Sequence, residues 1–233
     1  MKRKILTTVL FCLTGFAYAG AQTVQVIYEI QPKPAANVSR MKIAGVDQSV
    51  LDDIVKSVSG IKRKFCFCYS DSESLFRNMK SDKGNEIEFM GMKIDMDAQM
   101  GDDITYRNHK TKREIQQKNF LGKDFLIESE LKADEWNIAD STKKILNYVC
   151  TKATSKTDST VIWFCKNVPV SDGPVYSGLS GLVLQVIRKE AIITAIKVSD
   201  ELSCEIKAPV KGAKTTKDEY KKMVEKRMNA LQF

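Results

Sequence analysis

The sequence predicts an α+β protein that is mainly β: a single domain with a curved antiparallel sheet or half-barrel, one helix in the N-terminal half and one C-terminal helix. Short segments that alternate apolar and polar residues recur along the chain, with turn-rich residues between them, which is typical of antiparallel strands. Helical periodicity occurs in only two segments. The 233 residues are 43% hydrophobic and 28% charged, a globular composition that excludes a collagen, a coiled coil and a wholly disordered chain.

The beginning of the chain has the pattern of a secretory signal peptide rather than of a folded element. A basic start, an apolar run and an A-x-A end follow one another within residues 1–21. We expect cleavage after Ala21, with Ala19 as the alternative, so that the folded domain is 22–233. The apolar run is shorter than the roughly 20 residues of a membrane-spanning helix, and no second run of that length follows.

Loss of this segment changes the charge and sets the expected location. It carries three basic residues and no acidic one, so the formal net charge falls from +8 to +5. A moderate positive charge on an exported chain gives no reason to expect a nucleic-acid partner. We therefore expect a protein of the periplasm or one associated with the outer membrane, with no transmembrane segment in the mature chain.

The elements of the predicted fold follow in chain order. Alternation over residues 24–30 predicts the first strand, and Pro32 ends it. Residues 47–58 show an apolar helical face, for which Asp47 is a suitable N-cap. A hairpin follows around the turn that begins at Ser70. Further strand segments are expected at 104–106, 113–117, 124–129, 136–138, 145–153, 160–166, 182–187 and 192–198.

The C-terminus returns to a helical pattern. Thr216 and Glu219 have the spacing of a capping box, in which each side chain bonds the backbone N–H of the other residue. Tyr220, Met223 and Val224 begin the apolar stripe of the helix that follows.

Five cysteines remain in the mature chain, and exported cysteines tend to pair. If residues 145–153 and 160–166 form a hairpin, Cys150 and Cys165 face each other at a distance that a disulfide can span. Cys66 and Cys68 lie on one face of a strand, and one of them is expected to reach Cys204. A soft-metal site or thiol exchange at Cys66 and Cys68 is the alternative.

Few catalytic designs fit the composition. The chain has one histidine, His109, which a polar turn predicts to be at the surface, and a zinc site with two histidines is excluded. Asp134, Glu135 and Asp140 offer paired carboxylates, for which solvated acids are the simpler interpretation. No phosphate-binding glycine loop is present. We therefore expect neither an enzyme nor a cofactor.

A methionine cluster offers a different chemistry. Met90, Met92, Met96 and Met100 fall within eleven residues. On a helix, Met92, Met96 and Met100 stack at every fourth position, and thioethers are soft ligands suited to Cu(I). The alternative is that these side chains fill a hydrophobic core.

The segment 163–183 resembles the signature of the GLPGLI family, exported proteins of Gram-negative bacteria. The residues that carry the resemblance are Gly173, Pro174, Gly178, Leu179, Gly181 and Leu182. Ser180 stands where the family has a proline, and Val183 where it has an isoleucine. The resemblance implies export, the fold and an unknown activity, and it transfers no catalytic residue. Gly178 and Gly181 allow a positive φ or a close backbone approach, either in a structural turn or in a binding loop.

Together these features predict a non-enzymatic cell-envelope protein with a binding or assembly role. The expected partner is a hydrophobic ligand or an outer-membrane β-barrel receptor. A periplasmic copper protein that uses the Met cluster or Cys66 and Cys68 is the alternative.

Overall fold

The computed structural model describes residues 23–33, 47, 49, 52, 56, 60, 62–79, 86–89, 92–95 and 103–230. Over these ranges the chain forms a 12-stranded sheet, a separate two-stranded sheet and one helix. This confirms the mainly β class. The predicted signal peptide lies outside the described residues.

The strands follow one another along the chain, and most sequence neighbours pair. Their bounds are β1 Val24–Pro32, β2 Arg63–Ser70, β3 Glu73–Met79, β4 Glu86–Phe89, β5 Met92–Asp95, β6 Ile104–Asn108, β7 Arg113–Phe120, β8 Lys123–Glu130, β9 Trp136–Ile145, β10 Tyr148–Ser155, β11 Val161–Cys165, β12 Leu182–Ile187, β13 Ala191–Ser199 and β14 Ala213–Thr215, and the helix α1 is Lys217–Ala230. The order in the large sheet is β14-β8-β7-β6-β3-β2-β1-β13-β12-β11-β10-β9. The β14–β8 pair is parallel, and the other pairs are antiparallel.

Tight turns explain why the predicted hairpin between β2 and β3 forms. Ser70 pairs with Glu73, and both intervening residues, Asp71 and Ser72, have positive φ angles of 51° and 73°. Two central residues with positive φ match the right-handed twist of the flanking strands, which is why such turns connect hairpins.

Of the two predicted helices, only the C-terminal one has described bounds, and the N-terminal one is described at a few positions. Of the predicted segment 47–58, Ser49, Asp52 and Lys56 are helical and exposed, while its apolar positions lie outside the described residues. At the C-terminus, the Thr216 N–H donates to Glu219 Oε2 at 3.0 Å and the Glu219 N–H donates to Thr216 Oγ1 at 3.2 Å. No helix among the described residues is long and apolar enough to cross a membrane.

The larger hydrophobic core lies on one face of the sheet, which we call the main-core face and define by Val26, Tyr28 and Phe67, all fully buried. The chain between β11 and β12 covers this face, where Val170, Leu179 and Leu182 enter the core. The Tyr28 hydroxyl donates to the carbonyl of Val183 on β12 at 2.5 Å, so a polar bond also joins β1 to β12 across this face.

A smaller core lies on the opposite face. Leu75, Tyr106 and Ile115 form it, and Ile206 and Ala208 of the C-terminal segment pack against it. A disulfide between Cys68 and Cys204 ties this segment to β2.

The remaining cysteines correct one sequence prediction. Cys150 and Cys165 are buried free thiols rather than a disulfide, and Cys66 is a buried thiol 3.5 Å from the Cys68 sulfur. The hairpin register does bring β10 and β11 together as expected, with Thr151 opposite Phe164. Burial raises the pKa of Cys150 to about 11, and the neighbouring Cys165 adds to that rise, so the thiol is protonated at neutral pH.

One member of the Met cluster lies in a strand rather than on a helix. Met92 is the first residue of β5 and pairs with Phe89 of β4. Met90, Met96 and Met100 lie outside the described residues.

The disulfide yields a stability prediction. It joins cysteines 136 positions apart, and closing so long a loop restricts the unfolded chain by roughly 2–5 kcal/mol. Reductant should therefore lower the Tm of the wild-type protein, measured by circular dichroism, and should leave the Tm of the Cys68→Ala/Cys204→Ala variant unchanged. Equal reductant effects on both proteins would contradict the assignment.

Candidate functional site

A row of polar side chains crosses the main-core face where the hydrophobic core ends. Arg107 of β6 pairs with Ser74 of β3 on one side and with Glu114 of β7 on the other. Residues paired across antiparallel strands point to the same face. Glu114 in turn pairs with Ser129 of β8. The row from Ser74 through Arg107 and Glu114 to Ser129 is therefore polar, while Phe76 and Ile127 keep neighbouring positions of the same face apolar.

Asp172 closes this row from above. Its Oδ1 accepts from Arg107 Nη1 at 2.6 Å, and its Oδ2 accepts from the Ser74 hydroxyl and lies 2.9 Å from His109 Nε2. The side chain is fully buried. Burial by itself raises the pKa of Asp172, but the positive charge of Arg107 and the hydrogen bonds of His109 and Ser74 outweigh it and hold the pKa below its usual value.

Arg107 bonds four groups at once and is itself buried. Its Nε donates to Glu114 Oε2 at 2.8 Å, its Nη1 also donates to the Gly173 carbonyl at 3.1 Å, and its Nη2 donates to the Val175 carbonyl at 2.8 Å. Burial alone lowers the pKa of Arg107, but the charges of Asp172 and Glu114 raise it above its usual value. The guanidinium is thus a permanently charged donor that joins the sheet to the segment 172–175.

This segment belongs to a tight turn, residues 172–178, which we call the Val175 loop. Asp172 and Ser177 form an isolated antiparallel bridge at its base. The Tyr176 N–H donates to the Pro174 carbonyl at 2.9 Å, and Val175 between them has a φ of 73°. A three-residue turn with this hydrogen bond and a positive central φ is the rare, strained form of the γ-turn.

The far end of the loop is fastened to the connection between β8 and β9. The Ser177 N–H donates to Asp134 Oδ2 at 2.9 Å, and Trp136 Nε1 donates to the Ser177 carbonyl at 3.2 Å. Gly178 has a φ of 90°, and a Cβ there would lie 2.9 Å from the Ala133 Cβ. Only glycine accepts both the backbone conformation and this approach. The loop is therefore held on both sides.

Two open clefts meet beneath the Val175 loop, with volumes of about 600 Å³ and about 340 Å³. They share Arg107, Gln116 and Val175 and therefore adjoin, and we call the two clefts together the Arg107 groove. The larger cleft is also lined by Glu114, Ser129, Glu130, Leu131, Lys132, Asp134, Ser177, Lys217 and Asp218. The smaller is also lined by Arg63, Phe65, Phe76, Asn78, Asp103, Thr105 and Lys118.

The groove combines hydrogen-bonding groups of both kinds with a little apolar surface. Guanidinium and ammonium groups donate, carboxylates accept, and amides and hydroxyls do both. In the smaller cleft the rings of Phe65 and Phe76 are stacked with centroids 5.2 Å apart.

The buried network differs from a nucleophilic triad. In a Ser-His-Asp triad the histidine lies between the other two residues and takes the serine proton. Here Asp172 lies in the middle and accepts from both Ser74 and His109. The arrangement fixes the position of the Val175 loop and places a carboxylate, rather than a histidine, against the Ser74 hydroxyl.

The predicted site residues are distributed as follows. His109 is partly buried against Asp172, with a side chain 22% exposed, so the expectation of a surface histidine is wrong. Among the suggested carboxylates, Asp134 lines the larger cleft, Glu135 forms an ion pair with Lys156 at 3.3 Å, and Asp140 is exposed on β9. The structure does not gather them into one site.

The motif residues have structural roles. Gly173 and Pro174 are buried, and Leu179 and Leu182 enter the main core. Gly181 has a φ of 156°, and a Cβ there would lie 2.4 Å from the Cys165 carbonyl oxygen, so the motif glycine permits a close backbone approach.

The central residues of the groove, Arg107, Glu114 and Asp172, were missed by sequence reasoning. A signal does exist for two of them. In β6 and β7 the charged or polar residues Arg107, Glu114 and Gln116 occupy alternate positions, while Tyr106 and Ile115 occupy the other set. When one face of a strand is apolar and the other is polar, the polar face is the one that is open to solvent or to a ligand rather than packed in the core.

The fold and the groove define a β-sheet domain that presents a polar depression beside a strained, doubly fastened loop. Residues 89–223 match the family model described as "N-glycanase peptide, N-terminal domain". The chain belongs to that family.

Two solved structures are similar to this chain in fold. The chain is similar to PNGF-II in a crystal of space group C2, with 17% identity, a TM-score of 0.56 and coverage of 88% of this chain and 33% of that one. The P21 form gives 16% identity, a TM-score of 0.55 and coverage of 88% and 34%. The chain thus spans about a third of those proteins. No curated protein matches the sequence.

These matches correct the expected family and function. The resemblance to the GLPGLI family is wrong as an identification, because the matched range, which contains the whole motif, belongs to the N-glycanase family. The expected non-enzymatic binding or assembly role and the copper alternative are wrong for the same reason. The expectation that the protein is not an enzyme is wrong for the same reason.

The buried ion pair yields a prediction of stability and its pH dependence. Asp172→Asn should lower the free energy of unfolding at pH 7 by roughly 3 kcal/mol, the lower end of the cost of breaking a buried pair, because Glu114 still compensates Arg107. The folded pKa of Asp172 lies below its unfolded value of about 4. Its stabilising effect is therefore fully present above that pH and lost as the pH falls through the folded pKa.

Urea denaturation of both proteins from pH 2 to pH 7 measures this difference. Arg113→Gln is the matched control, since it breaks an arginine–glutamate pair between β7 and β8 that is exposed to solvent and should change the midpoint little. A difference between wild type and Asp172→Asn that does not shrink in acid would contradict the account.

Proposed function

We propose that this chain acts in the enzymatic removal of N-linked glycans from glycoproteins, as the N-terminal domain of an N-glycanase-type enzyme, and that the Arg107 groove holds the glycan. The observation that carries the proposal is the position of the family match. Residues 89–223 contain β6, β7, β8 and the Val175 loop, so the part of the chain that matches the N-glycanase family is also the part that builds most of the groove.

The chemistry of the groove supports a carbohydrate. Each sugar hydroxyl both donates and accepts, so a site that binds several of them needs donors and acceptors in alternation. Lys118 supplies donors, Glu130 and Asp134 supply acceptors, and Gln116 supplies both. Fixed polar groups lose less entropy on binding than mobile ones, and the buried network fixes Arg107 and the loop before any ligand arrives.

The proposed role is substrate binding. Because the chain spans about a third of the PNGF-II structures, we assign no groove residue to the cleavage of the glycan–asparagine bond. The signal-like segment 1–21 supports an exported enzyme, in the periplasm or associated with the outer membrane, where glycoproteins from outside the cell are accessible.

Binding of a defined glycopeptide tests the proposal. The probe is a fluorescent peptide that carries the core pentasaccharide of mannose and N-acetylglucosamine on asparagine, and the same peptide without sugar serves for comparison. The wild-type chain should bind only the glycosylated form. Gln116→Ala should weaken that binding about five- to thirtyfold, the effect of losing one or two hydrogen bonds of about 1 kcal/mol each.

Gln31→Ala is the control, because Gln31 is an exposed glutamine on β1 outside the groove, and its affinity should equal that of wild type. Fluorescence anisotropy gives the affinities, and mass spectrometry of the glycopeptide detects any release of the glycan. Equal affinity for the glycosylated and bare peptides would refute the proposed function.

A further inference from the structure

Val175 has a backbone conformation that its side chain disfavours. A positive φ is costly for any residue with a Cβ and is a genuine outlier for a β-branched one. The other non-glycine residues with positive φ among the described residues lie in the tight turns between paired strands, where the geometry of a short hairpin demands it. They are Asp71, Ser72, Lys112, Leu121 and Leu146.

The fold gives the Val175 side chain no packing reward for this strain. The side chain is 41% exposed, while the backbone is held by the bond from Arg107 Nη2 to its carbonyl and by the bond between Tyr176 and Pro174. Strain that surrounding bonds enforce, at an exposed position, is typical of binding sites. Glycine would satisfy the same bonds without the cost.

The position of the side chain indicates what it contacts. Val175 lines both clefts of the Arg107 groove, between Lys132 and Ser177 on one side and Phe76 and Thr105 on the other. Of the three residues that line both clefts, Val175 is the apolar one, so a ligand that occupies both clefts has this side chain beside it.

We propose that Val175 is a ligand-contact residue that divides the groove into two subsites and packs against the apolar part of an N-acetylhexosamine. This inference rests on the proposed function. The acetyl methyl group and the C–H face of the ring are the apolar parts of such a sugar. The larger, more polar cleft takes the hydroxyl-rich continuation of the glycan, and the smaller cleft, with its stacked Phe65 and Phe76 rings, takes the end nearer the peptide.

Two glycine variants test this contact. Val175→Gly removes the side chain and relieves the strain, so the protein should fold with an unchanged or higher Tm, yet its affinity for the core-pentasaccharide glycopeptide should fall about five- to tenfold, the loss of one apolar contact. Leu121→Gly is the matched control. Leu121 also has a positive φ, of 51°, and is 65% exposed, but it lies in the β7–β8 turn, and its replacement should leave the affinity unchanged.

The outcomes separate the two proposals. If wild type binds the glycopeptide and Val175→Gly binds it equally well, the contact is refuted while the proposed function stands. If wild type does not distinguish the glycopeptide from the bare peptide, the proposed function is refuted and the contact with it. Val175→Asn, which tolerates a positive φ but presents a polar group, repeats the test should the glycine variant fail to fold, and the same affinities decide.

Discussion

A single buried guanidinium organises the candidate site. Arg107 projects from the middle of the sheet into a region closed to solvent, and a charge there is tolerated only when it is paired and hydrogen-bonded. Its two carboxylate partners come from different parts of the chain: Glu114 from the neighbouring strand, and Asp172 from the segment that covers the core. The requirement to satisfy one charge therefore fixes where the covering segment meets the sheet, and with it the position of the Val175 loop.

The two faces of the sheet divide the remaining tasks. On the main-core face, Tyr28 and Phe67 pack beneath the covering segment, and the same face continues beyond Arg107 as an open groove. On the opposite face the C-terminal segment is held by the Cys68–Cys204 disulfide and a small apolar cluster. The segment between β11 and β12 covers the main-core face up to the polar row, and the groove lies beyond that row. On the other face, the C-terminal segment packs against Leu75, Tyr106 and Ile115.

Local pattern was enough to predict the strands but not the site. Alternation of apolar and polar residues is a property of neighbouring positions, so β1, β2, β3, β12 and β13 could be located from the sequence. The contact between Arg107 and Asp172 joins residues 65 positions apart, and the disulfide joins residues 136 apart, and no local period encodes either. His109 looked like a surface residue because its neighbours are polar, whereas it is Asp172, from a distant loop, that partly buries it. The spacing of Met92 and Met96 fits one face of a helix and also one face of a strand, so it could not predict that Met92 begins β5.

The central claim is that a glycan lies in the Arg107 groove across the Val175 loop. Nuclear magnetic resonance of the ¹⁵N-labelled chain, titrated with the core-pentasaccharide glycopeptide, tests it most directly. The account predicts saturable shifts of the Val175 and Ser177 amides, the Gln116 side-chain amide and the Arg107 Nε–H, with little change at Tyr106 and Ile115 on the opposite face. Shifts confined to that opposite face, or no saturable shifts in the groove, would contradict it.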